Sequence, residues 1–480
     1  MTKKTYFLIL IFLIVQIKLF AHSGKPKYHV VIDTDCAIDD MRSISMFLAE
    51  NDIRVLAITS SHGTLDPTSG FYRINSLLAT LYHEGILVGI GDKTNFALPQ
   101  WNAFAEKINW GNPIDLLQNK ENAIDLLNRK SKKYPNKLTL IALGSLKTYA
   151  DWLKSNPENF DKIERIIWYN NAKKEDGFNY QADTASYNYI IKSNISLDIV
   201  SNNRKDLICN AEYLSYLKNT KSIYAQLIYK VHNQASVSEK VKQNHLQLWD
   251  DLLPLYLSVP ILFSSEKQGN ITNVSVEKSI PASFIYETIS KVFLSGTSTN
   301  NRVFNAFPVD TGLYKKEYAQ MLNSTIEKHG QIEWKAITMT NEIHGHTGIY
   351  SIIGAKMGIR AIEYFNVGVN NLKVTSFAGY GPPLSCLNDG IQISTGATIG
   401  QGLISVSDTV LDIPTVIFEF NGQKISISLN KDISKQMQDD IKKGVANYRM
   451  SDKYWLYIEE LAIKYWADYD RHEIFTIEKL

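Results

Sequence analysis

At 480 residues the chain is longer than one ordinary domain needs, so two domains are expected. With 44% hydrophobic and 21% charged residues, the composition is that of a globular protein with sizeable cores, not of a disordered or fibrous chain. The formal net charge of +2, from 51 basic and 49 acidic side chains, argues against a general binder of nucleic-acid polymers.

The first 21 residues stand apart. Lys3 and Lys4 precede the apolar FLILIFLIV, and the segment runs to Leu19-Phe20-Ala21. A basic start, a short apolar core and a small final residue read as an export signal cut after Ala21, with an uncleaved anchor as the alternative. The expected location of the mature chain is the periplasm or the exterior. No later apolar run approaches ~18 residues, so no membrane span is expected after signal removal. The cysteines Cys36, Cys209 and Cys386 are too few and too scattered for a disulfide framework. Their odd count leaves at least one free or used as a ligand, and Cys209 reads as a buried, inert thiol.

From residue 28 to about 260 strands and helices alternate. YHVVID (28–33) is a strand, and Met41, Ile44, Phe47 and Leu48 then recur at helical spacing. IRVLAIT (53–59) is a strand, followed by a helix near 70–83. Further apolar runs are ILVGIG (86–91), LTLIAL (138–143), ERIIWY (164–169) and SLDIV (196–200). This alternation predicts an α/β fold with a mostly parallel sheet flanked by helices. Residues 264–310 are irregular, with a late strand expected at NNRVFNAFPVD (300–310) and a closing helix over 314–330. A domain boundary is placed near 330, so the expected units are 27–330 and 331–480. In the second, smaller α+β unit, helical periodicity covers 349–365, TVIFEF-NG-QKISISL (415–429) is a hairpin, and helices follow near 431–445 and 452–467.

DTDCAIDD (33–40) places four aspartates at the carboxyl end of the first strand, the edge where ligands bind in such sheets. Crowded carboxylates repel one another, and a hard cation such as calcium relieves that. The bland alternative is a solvated loop in which Asp39 or Asp40 caps the next helix. A haloacid dehalogenase-type phosphatase would also begin with a strand and Asp-x-Asp, but the threonine it needs two residues later is absent.

The octet resembles the Asp-x-Asp-Pro-Gly-x-Asp-Asp signature of the inosine- and uridine-cleaving nucleoside hydrolases. IALGSLKTYA (141–150) is similar to that family's Leu-Gly-Pro-Leu-Thr-Asn segment. FNYQADTAS (178–186) resembles its Phe-Asn-x-x-x-Asp-Pro-Glu-Ala segment, and WDDLLPLYLSVPILF (249–263) its His-Asp-Pro-Leu-Ala…Pro-x-Leu-Phe segment. The resemblance covers roughly residues 27–330 and implies a nucleoside hydrolase-like, Rossmann-like fold. It also implies calcium held by Asp35, Asp40, the Leu143 carbonyl and Asp250. In it Asp35 is the general base on the attacking water, Asp39 holds the ribose 2′-hydroxyl, and Asn179 contacts the ribose. Dimers or tetramers are common in the family, which makes a homo-oligomer an expectation.

Several positions depart from the pattern. Cys36-Ala37 replaces Pro-Gly, and Thr64 replaces a ribose-binding asparagine. Gly177 stands where a glutamate near the ribose 5′-hydroxyl is expected, with Glu175 and Asp176 as candidate substitutes. Trp249 replaces a histidine that protonates a purine leaving group, and its ring can stack on a base but cannot supply that proton.

NEIHGHTGIYSIIGAKMGIRA (341–361) sets His344 and His346 two residues apart, facing one side if the segment is extended. Two such imidazoles can share a transition metal, and two hydrogen-bonded histidines at a strand-to-helix turn are the bland alternative. The stretch resembles the His-Gly-His-x-Cys-Pro-Gly motif of the FmdE-like domains, a family named for formylmethanofuran dehydrogenase. CLNDGIQISTGATIGQGLI (386–404) is similar to the segment Cys-x-x-Asp-x-Ile-Gln…Thr-Gly-x-Thr-x-Gly-x-Gly. Together they cover about residues 331–430 and imply zinc or a similar metal at His344, His346 and Cys386. Gly348 and Ala397 occupy two cysteine positions, so loss of the metal is the open alternative.

These readings lead to an exported, calcium-dependent hydrolase that splits a nucleoside-like compound into base and ribose. The second domain would bind a ligand or metal, or help close the site. The rivals are a non-catalytic, calcium-dependent ribosyl-binding protein and an enzyme whose chemistry lies in the C-terminal domain.

Overall fold

The computed structural model describes residues 26–113, 120–134, 137–299 and 301–480, so the expected export signal lies outside the described residues. The first sheet is built from β1 (Tyr28–Thr34), β2 (Ile53–Ser60), β3 (Leu87–Ile90), β4 (Glu121–Asn122), β5 (Leu138–Ala142), β6 (Ile163–Tyr169), β7 (Leu197–Ser201), β8 (Phe263–Gln268) and β9 (Ile271–Val276). Their order is β4-β3-β2-β1-β5-β6-β7-β9-β8. All neighbours pair in parallel except β8 with β9. Every residue of β2, β5 and β7 is buried, which is why these strands read as continuous apolar runs: helices cover both faces. The chain winds outward from β1 through β4, then returns to add β5, β6 and β7 on the other side of β1. Strand order therefore reverses between β1 and β5, which defines a crevice above their carboxyl ends.

The late strand expected at 300–310 does not form: residues 301–310 carry no regular element. Val303 is 90% exposed and Phe304 half-exposed, so that apolar run buries little against the sheet. The outer edge is β8 instead, a polar FSSEKQ strand whose charged, exposed side chains suit an edge and hide its strand character in the sequence.

The second sheet joins β10 (Lys373–Ser376), β11 (Ile404–Val406), β12 (Thr415–Phe420), β13 (Gln423–Leu429) and β14 (Phe475–Lys479) in the order β11-β10-β12-β13-β14. β12 and β13 form the expected hairpin, with Asn421 and Gly422 both at positive φ, as a tight two-residue turn requires. The helices Gln331–His344, Ile349–Phe365 and Leu387–Thr395 pack with this sheet around a second core that includes Trp334 and Trp466, whose rings stack at 4.6 Å. Phe307, Met321 and Leu322, from the segment before the expected boundary at 330, pack in this second core.

The units meet at the amino-terminal edge of the first sheet. The Gly85 amide donates to the Tyr364 carbonyl at 2.8 Å, Arg360 pairs with Glu84 at 2.7 Å, and Arg54, at the start of β2, donates to the Asn366 carbonyl. The Tyr82 ring stacks on His472 at 3.6 Å. The crevice lies at the other end of β2, about 20 Å away at the rise of a strand. The expectation that the C-terminal domain helps close the site is therefore overturned: it docks on the far edge.

Candidate active site

β1 delivers the aspartate octet to the crevice. Cys36 adopts a left-handed backbone (φ 64°), a conformation proline cannot take, so this turn differs from one built on Pro-Gly. The Asp40 carboxylate holds the turn: its Oδ2 accepts from the Thr34 hydroxyl at 2.6 Å and from the amides of Asp35 and Cys36 at 3.2 and 3.1 Å. The helix Ile38–Ala49, every residue of it buried, then carries Asp39 and Asp40 inward.

Ligand oxygens of Asp39, Asp40 and Asp250 lie within 4.8 Å of one another, the one such group of three acidic, histidine or cysteine side chains among the described residues. Asp250 arrives from the loop before the helix Leu252–Ser258, and its Oδ1 is buried without a partner. Asp35 flanks the group, and the Gly63 backbone passes so close that a β-carbon there would lie 2.1 Å from Asp35 Oδ2. Burial pushes all four carboxyls above the usual range. Asp35 reaches about 7, where burial is reinforced by the Asp39 charge and opposed by Thr64 donors. Asp40 and Asp250 are raised by burial and by mutual repulsion. Asp39 is raised by burial, partly offset by the Arg42 guanidinium. Three buried carboxyls with converging oxygens, one of them orphaned, and a fourth carboxyl beside them fit a hard divalent cation.

The other expected residues surround this group. Leu143 follows β5, and its carbonyl accepts from Asn179 Nδ2 at 2.7 Å, leaving one lone pair. Asn179 Nδ2 also reaches the Tyr169 carbonyl at 3.1 Å, so its amide nitrogen braces the main chain and its oxygen alone remains for a ribose. Thr64 is buried beside Asp35, and its hydroxyl accepts from Trp101 Nε1 at 3.2 Å. Trp249 is 38% exposed, which leaves its ring free to meet a ligand. Glu175 and Asp176 do not substitute for the missing glutamate: both are exposed and pair with Lys174 and Lys173. A side chain at Gly177 would strike Asn170, whose Oδ1 lies 2.0 Å from the would-be β-carbon.

Sequence reasoning missed a buried network behind the cluster. Arg42 Nε and Nη2 donate to the two carboxylate oxygens of Asp251 at 2.8 and 2.7 Å, and Nη2 also donates to the Gln247 carbonyl at 2.8 Å. Arg42 Nη1 lies 3.3 Å from His232 Nε2, and His232 Nδ1 lies 2.8 Å from the Ile228 carbonyl. Burial and the neighbouring guanidinium push His232 down to about 3, so it is neutral. An arginine in MRSISMFLA, whose other residues are apolar or serine, was the available signal. Also missed was an aromatic rim, in which Phe178 packs edge-on against Phe96 and Trp101 at 5.4 and 5.0 Å.

In the second domain, His344 ends a helix rather than a strand, and Gly345 in left-handed conformation turns the chain toward the next helix. The rings of His344 and His346 are 4.3 Å apart. Asp389 Oδ2 sits 2.8 Å from His344 Nδ1, while His344 Nε2 is buried and unpartnered. Cys386 is half-buried, and burial with the Asp389 charge raises its thiol pKa. These side chains do not bring three ligand atoms together as the aspartates do.

A mostly parallel sheet with a buried acid cluster at its switch point defines an α/β protein whose carboxylates could hold a cation. The inosine-uridine preferring nucleoside hydrolase model matches residues 30–312, and the chain belongs to that family. A second model, FmdE of the molybdenum formylmethanofuran dehydrogenase operon, matches residues 343–475. A probable uridine nucleosidase from Oryza sativa subsp. japonica is 23% identical over 226 residues, 42% of this chain and 66% of that protein. Among solved structures, a plant nucleoside hydrolase aligns with a TM-score of 0.48 at 18% identity, covering 56% of this chain and 99% of its own. A purine-preferring ribonucleoside hydrolase from Gardnerella vaginalis aligns with a TM-score of 0.48 at 16% identity, covering 56% of this chain and 100% of its own.

Proposed function

We propose that the chain is an exported, calcium-dependent hydrolase that cleaves the N-glycosidic bond of a nucleoside or related ribosyl compound. The convergence of Asp39, Asp40 and Asp250 beside Asp35 at the switch point carries this reading. The candidate ligands are Asp35, Asp250, the Leu143 carbonyl and one oxygen of Asp40, since Asp40 Oδ2 already holds the turn. Calcium, when bound, supplies charge that orients a ribose diol and acidifies a water. Asp35, as a carboxylate, would take the proton of the attacking water. Asp39 accepts from the 2′-hydroxyl and holds the sugar as its anomeric carbon becomes oxocarbenium-like. Trp249 stacks on the departing base and donates no proton to it, so the favoured leaving group is one that departs without help from that position. Asn170 fills the space a side chain at position 177 would take, so the ribose 5′ end finds no carboxylate from that position.

The test is ribose release from a panel of purine and pyrimidine nucleosides by the mature protein and by Asp35→Ala, with calcium supplied and then chelated. Turnover that disappears in both the variant and the chelated sample supports the reading. Calcium binding without turnover on any nucleoside overturns it in favour of a ribosyl-binding protein.

A further inference from the structure

We propose that the buried Arg42–Asp251 pair is a positioning device that clamps the helix bearing Asp39 and Asp40 to the loop bearing Asp250. The inference rests on the calcium site proposed above. The cluster is assembled from segments about 210 residues apart, and its usefulness depends on the distance between them. Arg42 lies two residues beyond Asp40, and Asp251 directly follows Asp250. The guanidinium fork joins these flanking positions through two parallel hydrogen bonds, with both side chains fully buried. A bidentate fork of this kind fixes orientation as well as distance. The Gln247 carbonyl and neutral His232 occupy further guanidinium N–H groups, so the arginine has little freedom to rotate.

The pair also replaces something. Where this chain reads Trp249-Asp250-Asp251-Leu252, the resembled motif reads His-Asp-Pro-Leu. Asp251 has φ −53°, inside the range to which a proline ring confines the backbone. The main chain thus keeps a proline-compatible turn, but the ring that would stiffen it is absent. The ionic fork supplies that stiffness from the opposite segment.

The experiment compares the mature full-length protein with Arg42→Met, Asp251→Pro and the double variant. Calcium affinity is measured by calorimetry well below the unfolding temperature, and unfolding temperature is measured in chelator. Each single variant is expected to bind calcium about 10–100-fold more weakly, the usual loss when a group behind metal ligands is removed. The double variant, with no unpaired buried charge and the proline in place, is expected to recover most of that affinity. A role in stability alone would lower the unfolding temperature without changing calcium affinity, and that result overturns the inference. So does a double variant that binds no better than the weaker single, or one that does not fold. Where a single variant is unfolded, the double variant decides. Wild-type protein that binds no calcium overturns the proposed function and this inference with it, whereas calcium binding unaffected by the single substitutions overturns the inference alone.

Discussion

Two clusters of charge, one buried and one partly buried, sit in this molecule, and they are arranged in opposite ways. At the carboxyl edge of the first sheet, Asp39, Asp40 and Asp250 face one another beside Asp35, and the nearby Arg42 is already committed to Asp251. In the second domain, Glu333 binds Lys356 at 2.5 Å and Arg471 at 3.0 Å, Arg471 binds Glu363 at 2.5 Å, and His472 bridges Glu363 and Asp470 at 3.1 and 2.8 Å. Burial alone would raise Glu363, but the Arg471 guanidinium and His472 hold it well below the usual carboxylate range. Asp470 is held low by its hydrogen bond from His472. The second cluster is complete in itself and its consequence is structural. The first has no cation among its neighbours to match its carboxyls, since Arg42 is already paired, and that imbalance, more than burial, marks it as a candidate site.

The difference can be broken from either side. The largest effect is expected from Asp250→Ala, which removes a ligand and the loop's contribution to the cluster. Ribose release and calcium binding should fall by more than the ~10–100-fold typical of groups behind a ligand, with the unfolding temperature in chelator unchanged or raised. Relief of repulsion explains that second sign, and a marked fall in the unfolding temperature would count against it. Next is Glu333→Gln, which strips Lys356 and Arg471 of a shared carboxylate in the interior. A loss of about 3–5 kcal/mol is expected from denaturant unfolding, with calcium affinity of the folded protein unchanged.

How legible these clusters were from sequence follows from where their members lie. The octet was legible because its four aspartates fall within eight residues and follow an apolar strand. Leu143, Asn179 and Asp250 required the motif resemblance, since parallel winding brings them together from distant segments. Arg42 was hidden because its partner Asp251 lies 209 positions away. The paired cluster was invisible for the same reason: Glu333, Lys356, Glu363 and Arg471 each look like ordinary surface charges on helices or loops. β8 and β14 were missed because edge strands are polar, whereas the expected strand at 300–310 was apolar but had little to bury against.

A smaller effect is expected from pH. Asp35 has a folded pKa of about 7, above its ordinary value of 3.8. The folded protein keeps this proton where the unfolded chain has lost it. The resulting contribution to stability is full below about 4 and declines as pH rises through 7. In chelator, Asp35→Asn should therefore gain stability relative to wild type between pH 5 and pH 8. Unfolding temperatures of the two proteins across that range provide the check. A constant difference would mean that Asp35 is ionised throughout and the cluster less strained than its burial suggests. Saturating calcium should remove the trend, because the cation takes over from the proton.

The smallest effect is expected from His344→Ala. The His344–Asp389 pair resembles a built site, with one ring nitrogen held and the other buried and free. Yet the C-terminal domain docks through Arg54, Glu84 and Gly85 at the amino-terminal edge of the sheet, a strand's length from the aspartates. Sites so separated and sharing no partner act independently, so ribose release should stay within about twofold of wild type. A tenfold loss would mean that the domains exchange information along β2, whose two ends touch the interface and the crevice. The contrast between a self-contained cluster and a cation-seeking one would then describe two coupled parts of one device.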